Sequence, residues 1–294
     1  MNLADDESLL QLISMARKED LGGKDITTSL MSNADDAAEF ELVAKQPCVL
    51  AGREIVDRVF AAYDANVKVQ WNSGADDGLR LDSAPATLAK LRGRLGSILA
   101  AERVLLNFLQ RLCGVATLTR KFVDAVAGTG AVICDTRKTT PGWRLLERYA
   151  VRCGGGTNHR RGLYDAVLIK DNHLFGVQTE RLAGVVFEML NRVSSVDLAP
   201  SFIQVEASNL IQMRELCKVA GIDMILLDNF TVAQLAEAVG IRDHLGLRGK
   251  IELEASGGIT LDTVRAVAQT GVERISVGAL THSATAIDIS LERC

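Results

Sequence analysis

The chain has 294 residues, 48% apolar and 24% charged, enough to bury a large core in one barrel-sized domain or two smaller ones. Its formal net charge of −4 argues against nucleic acid or an anionic membrane surface as a partner. Acidic residues at the start (Asp5, Asp6, Glu7) and the lack of any apolar run of about 18 residues predict neither an export signal nor a membrane span, hence a cytoplasmic protein.

In chain order, Leu9, Leu10, Ile13 and Ala16 are spaced for a helix over residues 6–18. Residues 40–44, 67–71 and 87–91 alternate apolar and polar as half-buried strands do, with a helix over 53–63 after the first. Residues 97–112 are apolar almost all round, which predicts a buried helix. Arg103, Asn107 and Arg111 fall at i, i+4 and i+8 on it, either as a rim of solvent exposure or as a face turned to an active site.

From about residue 130 the pattern changes. Short β-branched runs recur at 131–134, 166–169, 202–205, 224–227, 251–254 and 274–277, each followed by a turn signal and a helical stretch. Such alternation predicts parallel β/α architecture, and by itself it fits a doubly wound sheet as well as a barrel. The polar residues favour the barrel. Each run ends in a polar cluster: DTRK (135–138), KDN (170–172), Glu206, DN (228–229), SGG (256–258) and GALTHS (278–283). Barrel enzymes build their sites from many strand ends, whereas an open sheet concentrates its site at one crevice. Cysteines 48, 113, 134, 153, 217 and 294 are scattered with no CxxC pair, as reduced thiols would be.

Between Thr136 and His173 stand eight Lys/Arg and three acids, so that stretch carries +5 and the rest of the chain −9. Arg144, Arg148 and Arg152, spaced i, i+4, i+8, read in part as a solvated helix face, but Arg137, Lys138 and Lys170 directly follow strand ends and read as a pocket for polyanions. The loop CGGGTNHRRG (153–162) lets backbone approach a ligand and then offers His159, Arg160 and Arg161 as donors. Ser256-Gly257-Gly258 before a helix near Thr260, and Gly278 to Thr281, suit a phosphate on glycine amides, although an ordinary strand-to-helix turn also uses glycine. Glu206, Asp228 and Glu254 supply carboxylates for ribose hydroxyls, Mg²⁺ or a developing oxocarbenium ion.

DTRKTTPG (135–142), YAVRCGGGTNHRRGLYDAVLIKDNH (149–173), LLDN (226–229), EASGGI (254–259) and SVGALTHS (276–283) resemble the quinolinate phosphoribosyltransferase family. So do EDLGGKDITT (19–28) and AERVLLNFLQRLCGVAT (101–117), and the resemblance runs from residue 19 to 283. It implies an N-terminal α/β sandwich over 1–112, with the tail 284–294 packed on it, and an incomplete, about six-stranded parallel α/β barrel over 113–283. The implied reaction joins quinolinate to phosphoribosyl pyrophosphate and releases pyrophosphate and CO₂. The product is nicotinate mononucleotide, for NAD biosynthesis. The resemblance further implies that Arg103, Arg137, His159, Arg160 and Lys170 hold the quinolinate carboxylates, with Thr136 beside them and Lys138 facing the pyrophosphate. Glu206 and Asp228 would take the ribose and Mg²⁺, directly or through water. Ser256, Gly257, Gly258, Val277, Gly278, Ala279 and His282 would take the 5′-phosphate. Lys138, Lys170, Glu206 and Asp228 are the residues closest to chemistry in this scheme, Mg²⁺ comes with the donor, and no organic cofactor is needed. The implied assembly is a homodimer with shared sites, alone or in a hexamer of dimers, in which Arg103 serves the neighbouring chain. Two positions depart from the family pattern: Gln204 where a Glu is common, and Lys24 where glycine is usual.

Three other readings compete. A relative associated with molybdate transport shares the fold, but Arg137 together with His159-Arg160 favours a dicarboxylate. A Schiff-base lyase would use Lys170, yet the seven other cations nearby exceed what lowering one lysine requires. A phosphate-ligand sensor would have no need of Glu206 and Asp228.

Overall fold

The computed structural model describes residues 7–193 and 199–294. In chain order they form α1 (Glu7–Leu21), α2 (Ile26–Ser29), β1 (Ala37–Ala44), β2 (Cys48–Val49), α3 (Arg53–Tyr63), β3 (Lys68–Trp71), β4 (Arg80–Leu81), β5 (Ala86–Arg94) and α4 (Leu95–Ala125). Next come β6 (Val132–Cys134), α5 (Arg144–Cys153), β7 (Val167–Ile169), a 3-10 turn (Asp171–Leu174), α6 (Thr179–Asn191), β8 (Ile203–Ala207) and α7 (Leu210–Leu216). The chain closes with β9 (Met224–Asp228), α8 (Val232–His244), β10 (Glu252–Ser256), α9 (Leu261–Ala268), β11 (Arg274–Ser276), α10 (Ala279–His282) and β12 (Ile289–Arg293). They group into two compact units. One takes in the chain up to Arg120 with Thr139–Gly155 and Leu280–Cys294, the other Lys121–Lys138 with Gly156–Ala279. No described helix is long and apolar enough to cross a membrane, and all six cysteines are free thiols.

The first unit is built on an antiparallel sheet in the order β12-β1-β5-β3. Opposed charges fix the β1–β5 register: Glu39 faces Arg92 and Glu41 faces Lys90, with ion pairs of 2.9 and 3.4 Å. Leu9 and Ile13 of α1 and Ile55, Val56, Val59 and Phe60 of α3 are buried as apolar stripes. Asp77 sets the start of α3 by accepting the N–H groups of Gly52 (2.7 Å) and Arg53 (3.2 Å). The predicted strands and helices of this region are present. The two-residue ribbon β2–β4 and the last strand β12 carry no periodicity long enough to predict.

The second unit is a six-stranded parallel sheet ordered β6-β11-β10-β9-β8-β7. All six predicted runs are strands of it, and each lies beside its successor in sequence except β6 and β7. That order is a barrel wall left open at one seam. At the seam, Thr157 takes the free edge of β6: its N–H donates to Ile133 C=O (2.7 Å) and its C=O accepts from Asp135 N–H (3.1 Å). Alternation divides the strands. Val205, Ala207, Ile225, Leu227, Leu253, Ala255 and Ile275 are buried on one face, while Gln204, Glu206, Glu254 and Ser276 are buried on the other.

Candidate active site

The strand ends of the second unit carry the polar residues singled out above. Asp135, fully buried just past β6, organises the Gly-rich loop: its carboxylate accepts the His159 N–H (2.6 Å) and the Asn158 side-chain amide (2.7 Å). The turn beyond is fixed by Asp165, which accepts the N–H groups of Arg161 (2.8 Å) and Gly162 (3.0 Å). This places Arg160 inside the unit, where its guanidinium donates to Ala166 C=O (3.2 Å) and is buried. Burial, and after it the charge of neighbouring Arg137, lowers the pKa of Arg160. The carboxylate of Asp165 acts in the opposite direction.

His159 is also buried, and both ring nitrogens are engaged inside the fold. Nδ1 accepts the Arg160 N–H (2.8 Å), so Nε2 carries the proton and points at Gln204 Oε1 (2.9 Å) and Glu254 Oε1 (3.3 Å). Phe202 packs edge-on against the ring at 5.4 Å. His159 thus holds the Arg160 backbone through Nδ1. Glu254 belongs to the same buried network. It pairs with Arg274 (3.0 Å), its register neighbour on β11, and accepts the Ser276 hydroxyl. Burial pushes its carboxyl up, but the hydrogen bond and field of His159, with Ser276 and Arg274, more than offset this and hold it at about 2.

Lys170 ends β7 and lies 3.4 Å from Glu206, which is buried in β8. Asp228 closes β9, and Ser256 is its register neighbour at the end of β10. Gly257 (φ +97°) and Gly258 (φ +61°) follow, and α9 starts after Thr260 as expected. Val277 is buried, with its N–H on Cys134 C=O (3.0 Å), so Gly278 and Ala279 emerge beside β6. Thr136 accepts the Lys138 N–H (3.1 Å), and Lys138 is exposed. The second unit therefore carries Thr136, Arg137, Lys138, Lys170, Glu206, Asp228, Ser256–Gly258 and Val277–Ala279 at or just past the C-terminal ends of one sheet, with Arg160 buried in the same unit.

The remaining predicted residues lie in the first unit. Arg103 is exposed on the otherwise buried α4 and makes no side-chain hydrogen bond or ion pair with the described residues. Arg111, grouped with it by periodicity, does something else. It pairs with buried Glu147 (2.8 Å) and donates to the carbonyls of Ala284 (2.7 Å) and Thr281. Glu147 in turn accepts the N–H and hydroxyl of Thr140, both at 3.1 Å. On α5, Arg148 is buried and Arg144 donates to Thr139 (3.1 Å), so that row is no simple solvated face. His282 is exposed, with Nδ1 against Ser283 Oγ at 2.7 Å.

No group of three His, Cys, Asp or Glu among the described residues could hold a metal. Glu206 and Asp228 are a two-carboxylate donor set, which fits a Mg²⁺ held chiefly by substrate phosphates rather than by a protein cage. Sequence reasoning passed over Asp135, Asn158 and Asn229 as partners, because each acts on a backbone or side chain brought near only by folding.

Comparison with known proteins agrees with this geometry. The family models "Quinolinate phosphoribosyl transferase, N-terminal domain" and "C-terminal domain" match residues 25–113 and 115–292. The chain is 39% identical to the probable nicotinate-nucleotide pyrophosphorylase [carboxylating] of Bacillus subtilis, over 97% of this chain and 93% of that one. It is 38% identical to quinolinate phosphoribosyltransferase [decarboxylating] 1b of Nicotiana tabacum, over 96% and 81%. The solved nicotinate-nucleotide pyrophosphorylase of Francisella tularensis superposes with a TM-score of 0.88 at 36% identity, over 100% of this chain and 98% of that one. With both family domains matched in order and the strand-end cations in place, the chain belongs to the quinolinate phosphoribosyltransferase family.

Proposed function

We infer that this chain transfers the phosphoribosyl group of phosphoribosyl pyrophosphate to quinolinate, giving nicotinate mononucleotide, pyrophosphate and CO₂ in NAD biosynthesis. The cations at the ends of β6 and β7 (Arg137, Lys138 and Lys170), with buried Arg160 in the same unit, support this reading, since a dicarboxylate neutralises charges so placed. Arg137, Arg160 and Lys170 bind the two carboxylates, His159 sets the position of Arg160, and Thr136 closes the pocket. Lys138 faces the leaving pyrophosphate. Glu206 and Asp228 hold the ribose hydroxyls and stabilise positive charge at the anomeric carbon. Ser256–Gly258, Val277–Ala279 and His282 receive the 5′-phosphate.

The quinolinate ring nitrogen attacks the anomeric carbon as the bond to pyrophosphate breaks. The 2-carboxylate then leaves as CO₂, its electron pair stabilised by the cationic ring nitrogen until C2 takes up a proton. Glu206 and Asp228 would hold a Mg²⁺ that comes with the donor, directly or through water, and the ion would supply charge neutralisation of the pyrophosphate. No organic cofactor takes part. The enzyme works in the cytoplasm as a homodimer, alone or in a hexamer of dimers, and Arg103 completes the neighbouring chain's carboxylate site.

Incubation with the donor, Mg²⁺ and either quinolinate or nicotinate tests the reading. Quinolinate is turned over. Nicotinate is discriminated against by about 2–5 kcal/mol, because the missing carboxylate leaves a buried cation unmatched. Equal turnover of nicotinate overturns the assignment.

A further inference from the structure

We propose that Asn229 is a positioning residue of the transfer, locking the Asp228 carboxylate and the Gly257 turn into one rigid corner. The proposal rests on the assignment of Asp228 to the ribose and Ser256–Gly258 to the phosphate. Among the described residues Asn229 is the one non-glycine residue with positive φ, +56°. That left-handed conformation crowds Cβ, and Asn is among the few side chains that tolerate it.

Three contacts use the strained backbone. The Asn229 side-chain amide donates to Asp228 Oδ2 at 2.7 Å. Its backbone N–H donates to Ser256 C=O at 2.8 Å, tying the end of β9 to the end of β10. Its Oδ1 lies over Gly257, so close that a Cβ there would fall 2.7 Å from Asn229 Cγ and nearer still to Oδ1. The amide cannot be reversed, because Oδ1 would then face the Asp228 carboxylate.

One short side chain thus spans the two subsites. It occupies one Asp228 oxygen, leaves Oδ1 to face substrate, and fixes the distance from that oxygen to the glycine amides. In a ribose 5-phosphate only a few bonds separate the ring hydroxyls from the phosphate, so a fixed distance between the two subsites lowers the cost of binding both ends at once. Glycine at 229 would accept the backbone angle but lose the amide. Aspartate would set a second carboxylate against Asp228.

The test uses the full-length protein with Asn229→Gly and Asn229→Asp, measuring donor affinity by calorimetry with Mg²⁺, quinolinate affinity, kcat and Tm. Asn229→Gly is expected to keep Tm and quinolinate affinity, while donor affinity and kcat fall about tenfold or more, as for a lost hydrogen bond to a charged group. Asn229→Asp is expected to fall further. Unchanged donor affinity and kcat in Asn229→Gly would show that Asn229 serves only the turn. An equal loss for quinolinate would also overturn the proposal, by showing a general packing role. If the parent protein fails to convert quinolinate, the functional reading falls instead, so the two failures are distinct.

Discussion

Glu254 is completely buried, and three of its neighbours, His159, Ser276 and Arg274, favour its ionised form. Its folded carboxyl, held at about 2 against an ordinary 4.5, contributes stability that is present above pH 4.5 and lost as pH falls toward 2. Glu254→Gln leaves Arg274 buried without its counter-charge and should cost about 3 kcal/mol or more near pH 7. Denaturant titrations at several pH values check this: the gap from the parent should stay constant above pH 4.5 and narrow below it. A gap independent of pH would mean that packing, not charge, is what Glu254 supplies. Gln204 sits beside this knot with its Nε2 buried and unpaired among the described residues, while its Oε1 accepts from His159. The sequence names all of these residue types, but a Glu bound for a substrate and a Glu bound for an arginine on the next strand look alike until the register is known.

At the scale of elements, α4 shows how far periodicity reaches. The apolar surround of residues 97–112 does predict a buried helix, and Arg103 and Asn107 are exposed on it. Arg111 keeps the same helical spacing, yet it turns inward to Glu147 and to the carbonyls of Thr281 and Ala284. Helical period assigns residues to a face; only neighbouring segments decide whether that face is covered. The clamp makes a prediction. Glu147→Gln removes the negative charge paired with a largely buried guanidinium and turns one of the two oxygens that accept from Thr140 into a donor, at a cost of about 3–5 kcal/mol. Calorimetry should show a lower Tm, and the Thr140 amide should lose protection from hydrogen exchange. Retained protection of that amide would mean that the 139–155 segment is held in place by other contacts.

At the scale of the molecule, an exposed cation on an apolar helix suits a site completed by a second copy. Arg103→Ala and Lys138→Ala should each be nearly inactive yet folded. In the proposed homodimer, exchange leaves one site of each mixed dimer with both lesions and the other with neither, so an equal mixture should recover about a quarter of parental activity. Verified exchange without recovery would place Arg103 in its own chain's site. The sequence by itself determined the element types and the chemistry: six apolar runs, the polar clusters at their ends, and an excess of cations from 136 to 173. Those features follow from local backbone periodicity and from side-chain charge, which need no partner to be read. Strand order and register belong to the tertiary structure alone, because they join residues far apart in the chain. Folding pairs β12 with β1, sets Glu254 beside Arg274, and lays Asn229 across Gly257. Each of those pairings depends on which backbone hydrogen bonds form between distant segments, and no spacing along the chain encodes it.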